Sequence, residues 1–216
     1  MAEKDWLLGD SPNPLGDRVA EIREKLQHKN PNTLASHTGA SYTPKDEQSG
    51  TFRLTFWSQE ILLNYPEFNG KYVESDREIN TFDLTMLAYY FDVADGVPLS
   101  EEWISFNQIP GGMFYAQAFQ GYSGDELLKV FGDDLEAFIQ ANEKLGGRRE
   151  NFGSATYTHK ILPFVPIMVV CWLGDEDFSS SYRMLFDSNA HHYLVTDAYA
   201  ILGSNLTRQL IKTKTS

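Results

Sequence analysis

The sequence predicts an α+β fold, a single domain in which several helices cover an antiparallel or mixed sheet. The chain has 216 residues, 42% of them hydrophobic and 22% charged, which suits one ordinary globular domain. Strand patterns occur in residues 40–73 and 154–187. Apolar and polar side chains alternate in several of these strands, whereas 167–173 is a continuous apolar run typical of a central strand with both faces covered. Helical spacing of apolar residues occurs before, between and after these two regions. The strands of the first region have the pattern of an antiparallel meander.

Charge and cysteine content limit the classes of partner. The formal net charge of −12 and pI of 4.8 disfavour binding to nucleic acid and to anionic membranes. No apolar run approaches the roughly 20 residues that span a bilayer, and the N-terminus has no apolar region of the kind found in secretory signals. The single cysteine, Cys171, excludes an intramolecular disulfide and a multi-cysteine metal site within this chain. We therefore expect a cytoplasmic protein.

The first half of the chain is predicted to begin with a helix. Residues 1–12 are predicted as a flexible N-terminus and residues 13–212 as the domain. Asn13-Pro14 is expected to open the first helix, as N-cap and first helical residue, and Asn30-Pro31 to end it. Residues 33–49 are predicted to be irregular, apart from a short strand. The predicted strands of this half are 40–43, 51–56, 61–65 and 72–73, and a buried helix, capped by Asn80 or Thr81, follows over 82–92.

In the second half, short helices precede the remaining strands. Ser123 with Glu126, and Asp133 with Glu136, have capping-box spacing and predict two helix starts. Thr196 is predicted to cap the last helix. The predicted strands are 103–109, 154–162, 167–173 and 184–186, and the predicted helices are 113–120, the two after the capping boxes, and 197–211.

Asp187, His191 and His192 are the first candidates for a functional site. They fall in a predicted loop between the last strand and the last helix, and loops at strand ends often carry ligand-binding groups. A histidine with Asp187 is suited to acid–base chemistry. His191 and His192 are also candidate ligands of a divalent metal or of a tetrapyrrole metal. The alternative is that Asp187 caps a turn while one histidine packs beside Tyr193.

Gly111, Gly112 and Tyr115 are the second group of candidates. A Pro-Gly-Gly turn before a helix lets an anion approach the helix N-terminus, but no phosphate-binding glycine motif is present. A structural turn is the favoured interpretation. Phe114, Tyr115 and Phe119 are predicted as core residues, although aromatic rings beside a glycine turn can also form the wall of a flat ligand's site.

Two further features are interpreted as structural. Cys171 lies in an apolar strand and is predicted to be a buried, unreactive thiol rather than a nucleophile. The carboxylates of residues 175–177 follow Gly174 and are predicted to form a solvated turn. In a loop, two of them can also act as ligands of Ca²⁺ or Mg²⁺.

Three segments carry a family resemblance. SFNQIPGGMFYAQAF, FGDDLEAFIQANEKLGG and LPFVPIMVVCWLGDEDFSSSYRMLFDSNAHHYLVTDAYAILG resemble the DUF3786 family, a domain of unknown function. The resemblance implies association with the corrinoid- or metal-linked metabolism of anaerobes, in which such domains are often joined to iron–sulfur domains. It assigns no catalytic residues. The sequence also lacks the D-x-H-x-x-G pattern that, by resemblance, marks many corrinoid-binding domains.

The function expected from these observations is that of a cytoplasmic ligand-binding or accessory protein. Its candidate ligand is a corrinoid or another tetrapyrrole or metal cofactor, on the strength of the resemblance alone. One alternative is a small-molecule enzyme with a His/Asp acid–base pair. The other is a protein-interaction module for an iron–sulfur partner, which would expose a large apolar patch.

Overall fold

The computed structural model describes residues 13–214, which divide into two compact units. The first unit contains residues 13–97 together with 192–194, and the second contains residues 98–191 together with 195–214. The segment predicted to be a flexible N-terminus, 1–12, lies outside the described residues. Each unit has its own antiparallel sheet, so the predicted α+β class is confirmed. The predicted single sheet is wrong, because the strands of residues 41–72 and those of 103–187 form separate sheets.

The first unit is a four-stranded meander with helices at both ends of its sequence. The sheet order is β1-β2-β3-β4, and every neighbouring pair is antiparallel. Its core is aromatic, with the ring of Phe52 lying 4.9 Å from that of Phe91 and 5.7 Å from that of Tyr65. Its elements are α1 (Pro14–Leu26), α2 (Pro31–Thr38), β1 (Ser41–Pro44), β2 (Gly50–Phe56), β3 (Gln59–Tyr65), β4 (Gly70–Tyr72) and α3 (Thr81–Val93).

Local signals explain most of these boundaries. The Asn13 side chain accepts a hydrogen bond from the backbone of Gly16, which caps α1 as predicted. Helix α2 replaces the predicted irregular segment. Its N-cap is Asn30, whose side chain accepts from the backbone of Asn32 and Thr33, and Pro31 is its first residue. The Asn-Pro pair that was expected only to end α1 therefore also starts α2.

The second unit is a five-stranded antiparallel sheet in the order β5-β9-β8-β7-β6. Register places Tyr157, Val169 and Met184 side by side on one face. Helices cover this face, since the ring of Phe138 lies 6.4 Å from that of Tyr157 and the ring of Tyr199 lies 5.4 Å from that of Phe186. Its elements are β5 (Trp103–Ser105), α4 (Ala116–Tyr122), α5 (Gly124–Phe131), α6 (Leu135–Lys144), β6 (Arg148–Glu150), β7 (Ala155–Leu162), β8 (Val165–Trp172), β9 (Ser181–Asp187) and α7 (Thr196–Lys214).

Three predictions for the second unit are corrected. Strand β5 ends at Ser105, because the next residues form a 3₁₀ turn that buries Phe106. Ser123 does not cap α5 through its side chain, since its hydroxyl donates to the carbonyl of Phe119. The cap of α6 is Asp134 rather than Asp133, and it accepts from the backbone of Ala137.

Candidate functional site

Three consecutive large apolar side chains of the second unit are exposed to solvent. Met113, Phe114 and Tyr115 are 74%, 89% and 56% exposed. Met113 and Phe114 belong to a 3₁₀ turn, Gly112–Phe114, between β5 and α4, and Tyr115 follows it directly. We call residues 111–115 the aromatic loop. The prediction that Phe114 and Tyr115 are core residues is wrong, whereas Phe119 is buried as predicted.

The backbone of the aromatic loop is held in one conformation by its neighbours. Gly111 has a φ of 81°, in the left-handed region that favours glycine. At Gly112 a Cβ atom would lie 1.9 Å from the carbonyl oxygen of Phe106, so only glycine fits there. The Gly112 N–H donates to Ile109 O at 2.8 Å. The Thr196 hydroxyl donates to Pro110 O at 2.6 Å, so α7 also fixes the start of the loop. Gly111 and Gly112 thus form the predicted structural turn, and it presents apolar side chains to solvent.

Asp187 lies at the end of β9 and holds the segment before β5. It is only 2% exposed. Its Oδ1 accepts from the N–H and hydroxyl of Ser100 at 3.0 and 2.9 Å, and its Oδ2 accepts from the Glu101 N–H at 2.9 Å. Oδ1 also accepts from the Asn189 N–H at 2.9 Å. Four donors therefore satisfy this buried carboxylate, which is the arrangement expected of a structural clamp.

The two neighbouring histidines belong to different units. His191 is exposed in a 3₁₀ turn of the second unit, Ala190–His192. His192 belongs to the first unit, where its Nδ1 lies 2.7 Å from Oδ2 of Asp95. Partial burial opposes ionisation of Asp95, but the hydrogen bonds from His192 and from the Val97 backbone lower its pKa overall. Sequence inspection missed Asp95 as a partner, because 97 residues separate it from His192.

The potential metal ligands are dispersed in the described part of the chain. Between residues 13 and 214, no group of three or more His, Cys, Asp or Glu side chains is arranged to hold a metal ion. Within the acidic turn, Oδ1 of Asp175 accepts from the backbone N–H groups of Asp177 and Phe178, both at 2.9 Å. This turn borders a cavity of about 550 Å³, which Leu128 and Asp133 also line.

Two buried side chains of the second unit have shifted pKa values. Burial raises the pKa of the Cys171 thiol, which is fully buried. Burial also lowers the pKa of His159 to about 4. His159 is 5% exposed, and its Nε2 lies 2.8 Å from Oδ1 of Asn142 on α6. Alternation along β7 puts His159 on the same strand face as Tyr157, and its partner Asn142 comes from a helix 17 residues earlier in the chain.

A family model for a domain of unknown function, DUF3786, matches residues 30–209, which is most of the chain. The chain belongs to the DUF3786 family. No curated protein and no solved structure matches it. The aromatic loop, Asp187 and both histidines lie within the DUF3786 match, which assigns no function to any of them.

Over residues 13–214, every helix is too short or too polar to cross a bilayer.

Proposed function

We propose that this DUF3786 protein is an accessory protein that acts by binding another protein through the aromatic loop. The observation that carries the proposal is the exposure of Met113, Phe114 and Tyr115 on a fixed turn. Single exposed apolar residues are common on protein surfaces, but a contiguous group of large ones is typical of an interaction site. Aromatic side chains are also enriched among the residues that dominate binding energy.

The rigidity of the loop supports the same function. The close approach of Gly112 to the Phe106 carbonyl and the hydrogen bond from Thr196 to Pro110 fix the backbone of the loop in the unbound protein. A partner then loses little free energy in ordering the loop, so more of the free energy of burying the rings contributes to affinity. The three side chains are exposed to solvent and do not line a concave site, which suits insertion into a pocket of another protein better than enclosure of a small molecule.

The acid–base alternative receives less support from the geometry. The hydrogen bonds of the Asp187 carboxylate go to Ser100, Glu101 and Asn189, and that of His192 Nδ1 goes to Asp95. A corrinoid or other tetrapyrrole ligand remains a prediction from the resemblance, and an absorption spectrum of the purified protein after mixing with a corrinoid tests it. An iron–sulfur protein is compatible with the proposed function as the partner of the aromatic loop. A cytoplasmic location is part of the same proposal.

Site-specific photo-crosslinking tests the proposed function. A photo-reactive phenylalanine analogue is placed at Phe114 in the full chain, which is then expressed in its native cells. The matched control carries the analogue at Phe178, another phenylalanine that is 76% exposed in the same unit. After irradiation, we expect a covalent adduct with one other protein at position 114 and no such adduct at position 178.

Two outcomes contradict the proposal. The first is that position 114 forms no protein adduct above the level seen at position 178. The second is that its only protein adduct is a second copy of this chain, which would make the loop a self-association surface instead of an accessory one.

A further inference from the structure

Charged residues are unevenly distributed around the aromatic loop. The segments 98–128 and 195–207 contain neither lysine nor arginine nor histidine. They contain carboxylates, and three of these are exposed: Glu101, Glu102 and Asp125. All charged residues in both segments are therefore acidic.

The structure brings these two segments together at the loop. The Thr196 hydroxyl bonds Pro110. About two turns further along α7, a Cβ atom at Gly203 would lie 2.7 Å from the ring of Phe119, so α7 and the middle of α4 are in close contact. The aromatic loop thus lies within the first segment and is anchored to the second, and the charged residues of both segments are all acidic.

The nearest cations along the flanking helices are distant or paired. Arg208 follows Thr196 by twelve residues on α7, which is about 18 Å along the helix axis. Lys129, near the end of α5, is 2.6 Å from Oε1 of Glu126 and so is already paired. On the sheet, Arg148 and Arg149 of β6 lie at the opposite edge from β5. Arg183 is exposed on β9, next to β5, but it alternates with Tyr182 and Met184, which face the helices, and so belongs to the other face of the sheet.

We infer that the partner presents an apolar pocket whose rim carries lysine and arginine side chains. This inference rests on the proposed function and adds the chemistry of the partner. The three loop side chains would enter the pocket, and the surrounding carboxylates would face the cationic rim. Complementary charge of this kind steers encounter and selects the partner, while the buried rings supply most of the affinity. An acidic partner surface would be repelled by the same carboxylates.

The test measures binding of the purified partner, identified by its adduct at position 114, to the full-length chain. Phe114→Ser is compared with Phe178→Ser, and Glu102→Lys with Glu24→Lys. Glu24 is an exposed residue of α1 in the first unit, so its substitution makes the same change in net charge outside the second unit. Dissociation constants are measured at about 50 and about 300 mM NaCl.

If the inference is correct, Phe114→Ser weakens binding at least about tenfold and Phe178→Ser leaves it unchanged. Glu102→Lys weakens binding at least about threefold at low salt, mainly by slowing association, and Glu24→Lys does so by less than about twofold. Raising the salt concentration weakens binding of the unaltered chain at least about threefold. Peptide mapping of the adduct places the crosslink beside lysine or arginine on the partner.

Other outcomes distinguish the inference from the proposed function. Binding that depends on Phe114 but responds to neither salt nor Glu102→Lys overturns the basic rim and leaves the proposed function standing. Binding that is unaffected by Phe114→Ser overturns both.

Discussion

Acidification is expected to destabilise the second unit through His159. The imidazole is 5% exposed and lies against α6, with Nε2 2.8 Å from Oδ1 of Asn142. The Asn142 amide nitrogen donates to the carbonyl of Phe138, so its Oδ1 is the acceptor and His159 Nε2 carries the proton of a neutral ring. A second proton would place a charge in a buried site without a carboxylate partner, which is why burial lowers the pKa to about 4.

The size of the expected loss of stability follows from the difference between the pKa values of His159 in the folded and unfolded chain. The unfolded chain binds the proton near pH 6.5 and the folded chain near pH 4. The contribution of His159 to stability is therefore fully present above about pH 6.5 and is lost as the pH falls to about 4. A difference of between two and three pKa units corresponds to about 3 kcal/mol in the free energy of unfolding.

The assay is urea unfolding followed by circular dichroism, over a pH series from about 7.5 to about 4. The matched variant is His159→Gln, whose side-chain amide can still donate to Asn142 but does not titrate. All other ionisable groups are the same in the two proteins, so the difference between the two curves isolates His159. We expect the stability of the original chain to fall by about 3 kcal/mol more than that of His159→Gln. Parallel curves over this range would refute the argument that a neutral buried imidazole is required.

Three further predictions follow from single sites. Gly112→Ala should destabilise the protein by about 2 kcal/mol or more, because the new Cβ atom would overlap the Phe106 carbonyl. The control is Gly121→Ala in α4, where a Cβ atom meets no other atom within 4 Å, so this change should be neutral or slightly stabilising. Thermal unfolding measures the stability of both variants. Asp187→Ala should cost about 1–3 kcal/mol in urea unfolding, because it leaves partly buried donors of Ser100, Glu101 and Asn189 without their acceptor. The exposed Asp177→Ala should change stability by less than about 0.5 kcal/mol, and equal effects would contradict the clamp. Cys171 should react with a thiol reagent only in denaturant, because the folded thiol is fully buried and has a raised pKa; rapid labelling of the folded protein would disprove this.

Element type was predictable where the signal lies within a few residues. Asn13-Pro14 specified the start of α1, because an amide cap and a fixed proline φ are local properties. The alternation in Gly50–Phe56 specified β2 for a similarly local reason. Helix α2 was missed because its eight residues, rich in Ser, Thr and Asn, have a weak apolar pattern. Burial of Leu34 and Ala35, together with its caps, stabilises it in the fold.

The candidate site was predictable only in part. The sequence singled out the Gly111-Gly112 turn, Tyr115 and Asp187, and it raised the possibility that Asp187 caps a turn. It could not give the partners of Asp187, since Ser100 is 87 residues away in the chain. It also assigned Phe114 to the core, because an aromatic residue in a folded protein is more often buried than exposed.

The sequence by itself determined the α+β class, the caps and alternating strands, and the family to which the chain belongs. Only the tertiary structure decided that the strands form two sheets, that His192 pairs with Asp95, and that the rings of the aromatic loop face solvent. The physical reason is the separation along the chain over which each kind of interaction acts. Backbone dihedral preferences and capping hydrogen bonds act over a few residues, whereas sheet membership and burial depend on contacts between residues far apart in the chain.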